Sequence, residues 1–179
     1  MSEEINVTVK NVKEFASPDG GGFNCTVYLN GKRFCSAHDG GHGGCISYDF
    51  LSSYKEGDKH PQVEIRRLDE VMKADPKKYA YEYSGMELFK DFDCLVNEAI
   101  NAHYKEKEKR KFENQMKKRV LYRKADSKHG EYYKTAEHKT ADQIKNTKEY
   151  LKQKYPDITF LDEGDNLKKF LAPKPKPQP

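Results

Sequence analysis

The sequence predicts an α+β fold on three observations. Apolar residues alternate over residues 5–50, and turn sequences separate the runs, which indicates β-hairpins. Large apolar side chains then recur at helical spacing, which predicts a long amphipathic helix over residues 84–118. Residues 119–172 change again from strand-like runs to a capped helix. We therefore expect an antiparallel β-sheet from the N-terminal hairpins packed against the long helix, with a smaller C-terminal hairpin–helix–strand unit.

The pair Asn30-Gly31 predicts the clearest hairpin and its register. The runs FNCTVYL and KRFCSA flank this pair, and a type I′ turn needs positive φ at both central positions, which Asn and Gly tolerate. Counting outward, Tyr28 faces Arg33 and Thr26 faces Cys35, on the side of the sheet away from the core. The predicted core side holds Phe23, Cys25, Val27, Leu29 and Phe34.

Residues 51–83 fit either a helix or a strand. Pro61 can open a helix and Pro76 can follow its end, so the helical interpretation is favoured. The long helix is then expected to begin at a Ser84 cap.

The last third predicts a hairpin from RVLYRK and EYYKT, followed by a helix. Thr140 and Gln143 fit a capping box, and that helix is expected to run to about Lys154 before the strand ITFL. We predict one domain over residues 1–172, with residues 173–179 as a disordered Pro/Lys tail.

Charge and composition exclude some classes of protein. There are 33 Lys and Arg against 29 Asp and Glu, which gives a mixed surface and not a polycation. The first residues lack the features of a secretory signal, and no apolar run approaches the roughly 20 residues of a membrane span. We expect a cytoplasmic protein whose four cysteines are reduced, with no membrane association.

A cluster of zinc-ligand types occupies residues 35–45. Its members are Cys35, His38, His42 and Cys45. The hairpin register argues against a shared site, because Cys35 falls in a strand and a residue three positions later points to the opposite face. We expect no cofactor, and a zinc-stabilised binding module remains an alternative.

Two further segments are candidates for ligand binding, and each also has a purely structural interpretation. The glycine-rich segment Asp39, Gly40, Gly41, His42, Gly43 and Gly44 lacks the Lys-Ser/Thr of a phosphate-binding loop and reads as a flexible connection between strands. The second feature is a basic stretch over residues 105–124. Its candidate nucleic-acid contacts are Lys105, Lys109, Arg110, Lys117, Lys118, Arg119, Arg123 and Lys124. Interleaved glutamates at i,i+4 spacing also fit a solvated helix with ion pairs.

No residue pattern predicts catalysis. Cys94 lies in the long helix, flanked by Asp91, Asp93 and Glu98. Nearby carboxylates raise the pKa of a thiol, whereas an activated cysteine needs a lowered pKa. We therefore expect a protein that is not an enzyme.

The segment CTVYLNGKRFCSAHDGGHGGCISY resembles small, mostly uncharacterised accessory proteins of tailed phages and prophages. In those proteins an Asn/Asp-Gly-Lys turn precedes an Asp-Gly-x-Gly-Gly loop, and the later order of helix and strands is similar. This chain has one glycine more in the loop, at Gly40-Gly41. The resemblance implies a non-enzymatic protein that binds and modulates or inhibits a host protein, nucleoprotein or defence complex, as anti-CRISPR and other anti-defence inhibitors do.

We expect the partner to contact the hairpin and the loop that follows it. Tyr28 and Arg33 are cross-strand neighbours on the side away from the core, and both residue types commonly anchor interfaces. Residues 39–44 lie beyond the far end of the same strands, where small side chains would let a partner backbone approach.

Overall fold

The computed structural model describes residues 4–50 and 61–173, which form two compact units divided after His103. The α+β class is confirmed, with an N-terminal four-stranded sheet, a long helix and a small C-terminal sheet with its own helix. Whether residues 1–172 fold as one domain stays a prediction. No helix in the described ranges combines the length and apolarity that crossing a membrane requires.

The N-terminal sheet is antiparallel, in the order β1-β2-β3-β4. Its strands are β1 Val7–Ser17, β2 Gly20–Leu29, β3 Lys32–Asp39 and β4 Ser47–Asp49. The predicted turn between β2 and β3 is confirmed, because Asn30 and Gly31 have φ of 49° and 80°. Asn30 also fastens the start of β1, since its Oδ1 accepts a hydrogen bond from Asn6 N at 2.8 Å.

A β-bulge corrects the predicted register beyond Arg33. Tyr28 does face Arg33, but Val27 faces Cys35, so Phe34 is the extra residue on β3. The Phe34 ring packs edge-to-face on Phe92 with 5.5 Å between centroids. Cys35 therefore lies in the core at 0% exposure and not beside Thr26.

Apart from Cys35, three of the five residues predicted for the core side are confirmed as buried. Phe23, Cys25 and Val27 are buried, while Leu29 and Phe34 are half-buried. Opposed residues of these strands share a face, and the buried residues alternate with exposed or half-buried ones. The sheet consequently has one face in the core and one exposed face.

A second hairpin lies where the sequence predicted the start of the long helix. Helix α1 Pro61–Ala74 is confirmed, and α2 Pro76–Tyr79, β5 Ala80–Tyr83 and β6 Met86–Phe89 follow it. Ser84 is not a helix cap: Ser84 and Gly85 have φ of 51° and 77° and form the turn between β5 and β6. Tyr81 and Tyr83 lie two positions apart in β5 and share one face, as strand alternation requires.

The long helix α3 is Phe92–Met116, shorter at its start than predicted. Asp91 caps it, because its Oδ1 accepts from Cys94 N at 2.8 Å. The predicted apolar stripe is buried at Phe92, Val96 and Ile100. Tyr48 of β4 packs on Phe92, and its hydroxyl donates to Asp93 Oδ1 at 2.6 Å, so the first turn of the helix is joined to the sheet.

Asp69 adds a second bond at that helix start, and we expect its replacements by Asn and by Ala to differ. Its Oδ1 accepts from Phe92 N at 2.9 Å, and Asn can supply the same oxygen whereas Ala cannot. Asp69→Ala should therefore cost about 1 kcal/mol, typical of a lost cap. Burial raises the pKa of the Asp69 carboxyl, partly offset by the Phe92 amide, so folding disfavours its charged form.

The pH dependence of the Asn variant follows from that direction. A raised folded-state pKa gives stability that is present below the unfolded pKa of about 3.9 and lost as pH rises through the folded value. Asp69→Asn removes this loss, so its stability relative to the parent should rise between pH 4 and pH 7. Urea unfolding of the three proteins at both pH values measures this. An Asn variant as unstable as the Ala variant would contradict the capping role.

The C-terminal unit confirms the predicted hairpin, helix and last strand. Strands β7 Leu121–Arg123, β8 Tyr133–Lys134 and β9 Thr159–Phe160 form a sheet in the order β8-β7-β9, with α4 Ala141–Lys154 between β8 and β9. A short α5 Asn166–Phe170 follows, which the sequence did not predict. Residues 174–179 of the predicted tail lie outside the described residues.

The cap of α4 differs from the predicted box in one bond. Thr140 Oγ1 accepts from Gln143 N at 3.3 Å, as expected. Gln143 Oε1 reaches one residue further back and accepts from Lys139 N at 2.8 Å. Two small clusters form the core of this unit. They are Phe112, Leu121 and Leu161, and Val120, Leu151 and Phe160.

Candidate interaction surfaces

The exposed face of the N-terminal sheet, which we call the open face, contains the predicted Tyr28–Arg33 pair. Arg33 is exposed and Tyr28 is half-buried. The cation over the Tyr28 ring is Lys10 of β1, whose Nζ lies 4.7 Å from the ring centroid. Cys35, predicted for this face, lies in the core because of the bulge. The pair is thus correctly located, with Lys10 as its third member.

Two rows of cross-strand partners form the centre of the open face. The first row is Lys10, Thr26, Ser36 and Asp49, and the second is Lys13, Asn24, His38 and Ser47. His38 Nδ1 is hydrogen-bonded to Asn24 Oδ1 at 2.7 Å, and the His38 ring stacks on Phe15 at 5.7 Å. A shallow groove of about 460 Å³ runs over these rows. The surface is polar, basic and partly aromatic.

The glycine loop is fastened to the turn between β1 and β2. Gly41 N donates to Asp39 Oδ1 at 2.7 Å, and Ser17 Oγ donates to Gly41 O at 2.9 Å. His42 Nδ1 lies 2.9 Å from Asp19 Oδ2 of that turn. A Cβ on Gly41 would stand 2.8 Å from Gly22 N, whereas Gly43 and Gly44 have open space. Internal packing explains the glycine at position 41, and partner contact at residues 39–44 stays a prediction.

The four predicted zinc ligands are divided by burial. Cys35 is fully buried, while His38, His42 and Cys45 are exposed. Cys35 and His38 lie on opposite faces of β3, as the strand register predicts. Within residues 4–50 and 61–173, no three or more His, Cys, Asp or Glu side chains are arranged to hold a metal ion. Zinc binding stays a prediction that elemental analysis can test.

Thiol labelling separates the cysteines. Burial raises the pKa of Cys25 to about 11, and burial, followed by the charges of Cys25 and Asp49, raises that of Cys35 to about 12. Since the thiolate is the reactive form, we expect a brief treatment with a disulfide reagent to modify exposed Cys45 first, and Cys25 and Cys35 only after unfolding. Mass spectrometry of native and urea-unfolded protein reads this out. Protection of Cys45 that a chelator abolishes would instead support a metal site.

Cys94 is half-buried in α3, and burial is the main cause of its raised pKa. A backbone hydrogen bond with Asp91 lowers that pKa, while the side chain and charge of Asp91 raise it. The direction agrees with the sequence prediction, although burial and not the flanking acids is the main cause. A raised pKa disfavours a thiolate nucleophile at this position.

Several cations of the basic stretch are engaged within the C-terminal unit. Arg119 pairs with Glu137 at 2.9 Å, and Lys124 lies 4.6 Å from the ring centroids of both Tyr133 and Tyr155. Arg123 donates to the carbonyls of Ser127, Lys128 and Glu131 and thereby closes the loop between β7 and β8. Arg110 pairs with Glu106 at 2.9 Å, in the predicted i,i+4 order. These contacts favour a structural role, and nucleic-acid binding at residues 105–124 stays a prediction.

The β5–β6 hairpin carries an apolar surface that the sequence analysis missed. Tyr81 faces Leu88 and Tyr83 faces Met86, so these four side chains share one face of the hairpin. Tyr81, Tyr83 and Met86 are 40%, 65% and 57% exposed. We call these four residues the Tyr/Met face. The alternating AYEY and MELF around Ser84-Gly85 was the signal that could have revealed the hairpin and which side chains share a face, but not that this face is exposed.

Comparison with known proteins assigns no class: no family model, no curated protein and no solved structure matches this chain.

Proposed function

We propose that this chain is a non-enzymatic binding protein whose β5–β6 hairpin docks on a partner protein. One observation carries the proposal: three of the eight exposed large hydrophobic side chains in the described residues, Tyr81, Tyr83 and Met86, share one face of this hairpin. Contiguous exposed apolar surface marks interaction sites, and Tyr and Met are enriched at interfaces. A two-stranded hairpin is only marginally stable by itself, so a bound partner would also stabilise the hairpin.

Charge on the hairpin indicates the chemistry of the partner. Its two acidic residues, Glu82 and Glu87, face each other directly across the strands. Like charges at such positions destabilise a strand pair, and nearby cations relieve the repulsion. Both glutamates lie on the face of the hairpin opposite the Tyr/Met face. A partner whose apolar pocket covers the Tyr/Met face and whose Lys or Arg side chains reach round the hairpin edge fits both features. The resemblance to phage accessory proteins makes a host enzyme or defence complex the first partner class to test.

The open face is too polar to form the core of a protein interface, which favours the hairpin as the docking surface. An interface core needs large desolvated apolar contacts, which the Tyr/Met face offers. The sequence-predicted surface at Tyr28, Arg33 and residues 39–44 is polar, and part of its loop is occupied by internal contacts.

Site-specific photo-cross-linking tests the proposal. A benzophenone amino acid at position 83 should cross-link a discrete partner in a host lysate, while the same probe at position 150 should not. Tyr150 is a matched control because it is 58% exposed against 65% for Tyr83. Equal products from both positions, or none from position 83, would contradict docking at the hairpin. Products from probes at positions 28 and 33 alone would assign the partner to the open face.

A further inference from the structure

We propose that the open face of the N-terminal sheet binds single-stranded nucleic acid. The face uses other residues than the β5–β6 hairpin, so this inference is independent of the proposed protein partner. Three kinds of group meet on it: aromatic rings, exposed cations and small polar side chains along a groove. A single strand has a chemical counterpart for each of them, in its bases, phosphates and base edges.

The rings form two platforms on one rigid sheet. Phe15 is 37% exposed and stacks on His38 with 15° between the ring planes. Tyr28 lies on β2 four residues from Asn24, the cross-strand partner of His38. At about 3.3 Å per residue the platforms are roughly 13 Å apart. Bases of any sequence stack on aromatic rings, and only an unpaired strand can present successive bases to separate platforms.

Cations stand beside these rings. Lys10, Lys13 and Arg33 are exposed on the open face, where the described strands β1–β4 contribute one carboxylate, Asp49, at the β4 edge. Lys10 already lies over Tyr28, and its flexible stem lets the ammonium move to a phosphate when a base takes the ring. The face therefore attracts a polyanion through phosphate contacts while the rings hold the bases.

The groove between the platforms favours a nucleic acid over an acidic protein. Asn24, Thr26 and Ser36 line it and offer both donors and acceptors to base edges. In the described strands, aliphatic residues such as Val27 and Ala37 alternate to the buried side. The open face consequently lacks the desolvated apolar centre that a protein interface requires, whereas a strand needs only rings, cations and polar groups.

Fluorescence anisotropy with a labelled mixed-sequence DNA strand of 20 nucleotides tests the inference on the full chain. We expect binding at 50 mM salt, and a slope of log K against log salt of about −2, since each of three phosphate contacts contributes roughly −0.7 for single strands. Lys10→Glu with Lys13→Glu should weaken binding about tenfold or more. Tyr28→Leu, which keeps the charge and most of the apolar volume, should weaken it about tenfold through lost stacking.

The matched control reverses the charge of two lysines within the basic stretch of residues 105–124, Lys111→Glu with Lys118→Glu. It makes the same net-charge change and should leave affinity within about twofold if the strand lies on the open face. Melting temperatures verify that each variant is folded, and Tyr28→Leu gives an independent result should the charge variant unfold.

Four outcomes would overturn the inference. They are no binding at 50 mM salt, equal loss in the control pair, equal affinity for a duplex of the same sequence, and displacement by poly-glutamate as easily as by unlabelled strand. The last would make the occupant an acidic protein. Cross-linking from position 83 is unaffected by any of them, so failure here and failure of the protein partner can be told apart.

Discussion

Tyr83→Ala is expected to weaken binding of the partner about thirtyfold and to leave the stability of the chain almost unchanged. A hot-spot tyrosine contributes about 2 kcal/mol or more, which corresponds to that factor. Tyr83 is 65% exposed, so little internal packing is lost, and surface substitutions normally change stability by about 0.5 kcal/mol at most. Titration calorimetry with the cross-linked partner, once purified, and thermal unfolding of the variant measure the two quantities.

The control and the neighbouring residue sharpen this prediction. Tyr150→Ala removes a similarly exposed ring in the C-terminal unit and should leave affinity unchanged. Met86 faces Tyr83 across the hairpin, so the double variant should lose less than the sum of the single losses if one partner pocket holds both. Strong destabilisation by Tyr83→Ala, or the same loss from Tyr150→Ala, would contradict a docking role for the hairpin.

Gly41→Ala is expected to destabilise the N-terminal sheet by about 2–4 kcal/mol, and Gly43→Ala by only about 1 kcal/mol. Both glycines have φ of 73°, so both substitutions carry the same backbone cost of about 1 kcal/mol. Only at Gly41 would the new Cβ also meet other atoms, 2.8 Å from Gly22 N and from Ser17 Oγ. Relieving that overlap costs a further 1–3 kcal/mol, roughly.

The buried thiols of the same sheet report this effect directly. In a Cys45→Ser background, the labelling rates of Cys25 and Cys35 follow opening of the sheet, because both thiols are in its core. Every ~1.4 kcal/mol of lost stability should raise those rates about tenfold. Equal rates in the Gly41 and Gly43 variants would show that the loop does not pack against the β1–β2 turn in solution.

Local signals in the sequence predicted much of the fold. The Asn30-Gly31 turn, the Thr140 cap and the helix after Pro61 each depend on residues within a few positions of one another, and each is confirmed. The Tyr28–Arg33 pair on the open face followed from that turn, because strand alternation fixes faces near a known register. The presence of an aromatic ring beside a cation at this pair was therefore predictable. The position of Lys10 was not, because it lies on β1, whose pairing the Asn30-Gly31 turn does not determine.

Tertiary contacts decided the rest. The bulge at Phe34 exists because its ring packs on Phe92, far along the chain, and one extra residue in the strand moves Cys35 into the core. Periodicity allowed either a helix or a strand in the segment before α3. In the structure this segment ends in a hairpin that turns at Ser84-Gly85. Exposure of Tyr83 and Met86 was not predictable, since an apolar residue is exposed only when no other part of the chain packs against it. The sequence by itself therefore determined most of the elements and one face of the sheet, while packing between distant residues determined the register beyond Arg33 and the exposed apolar surface.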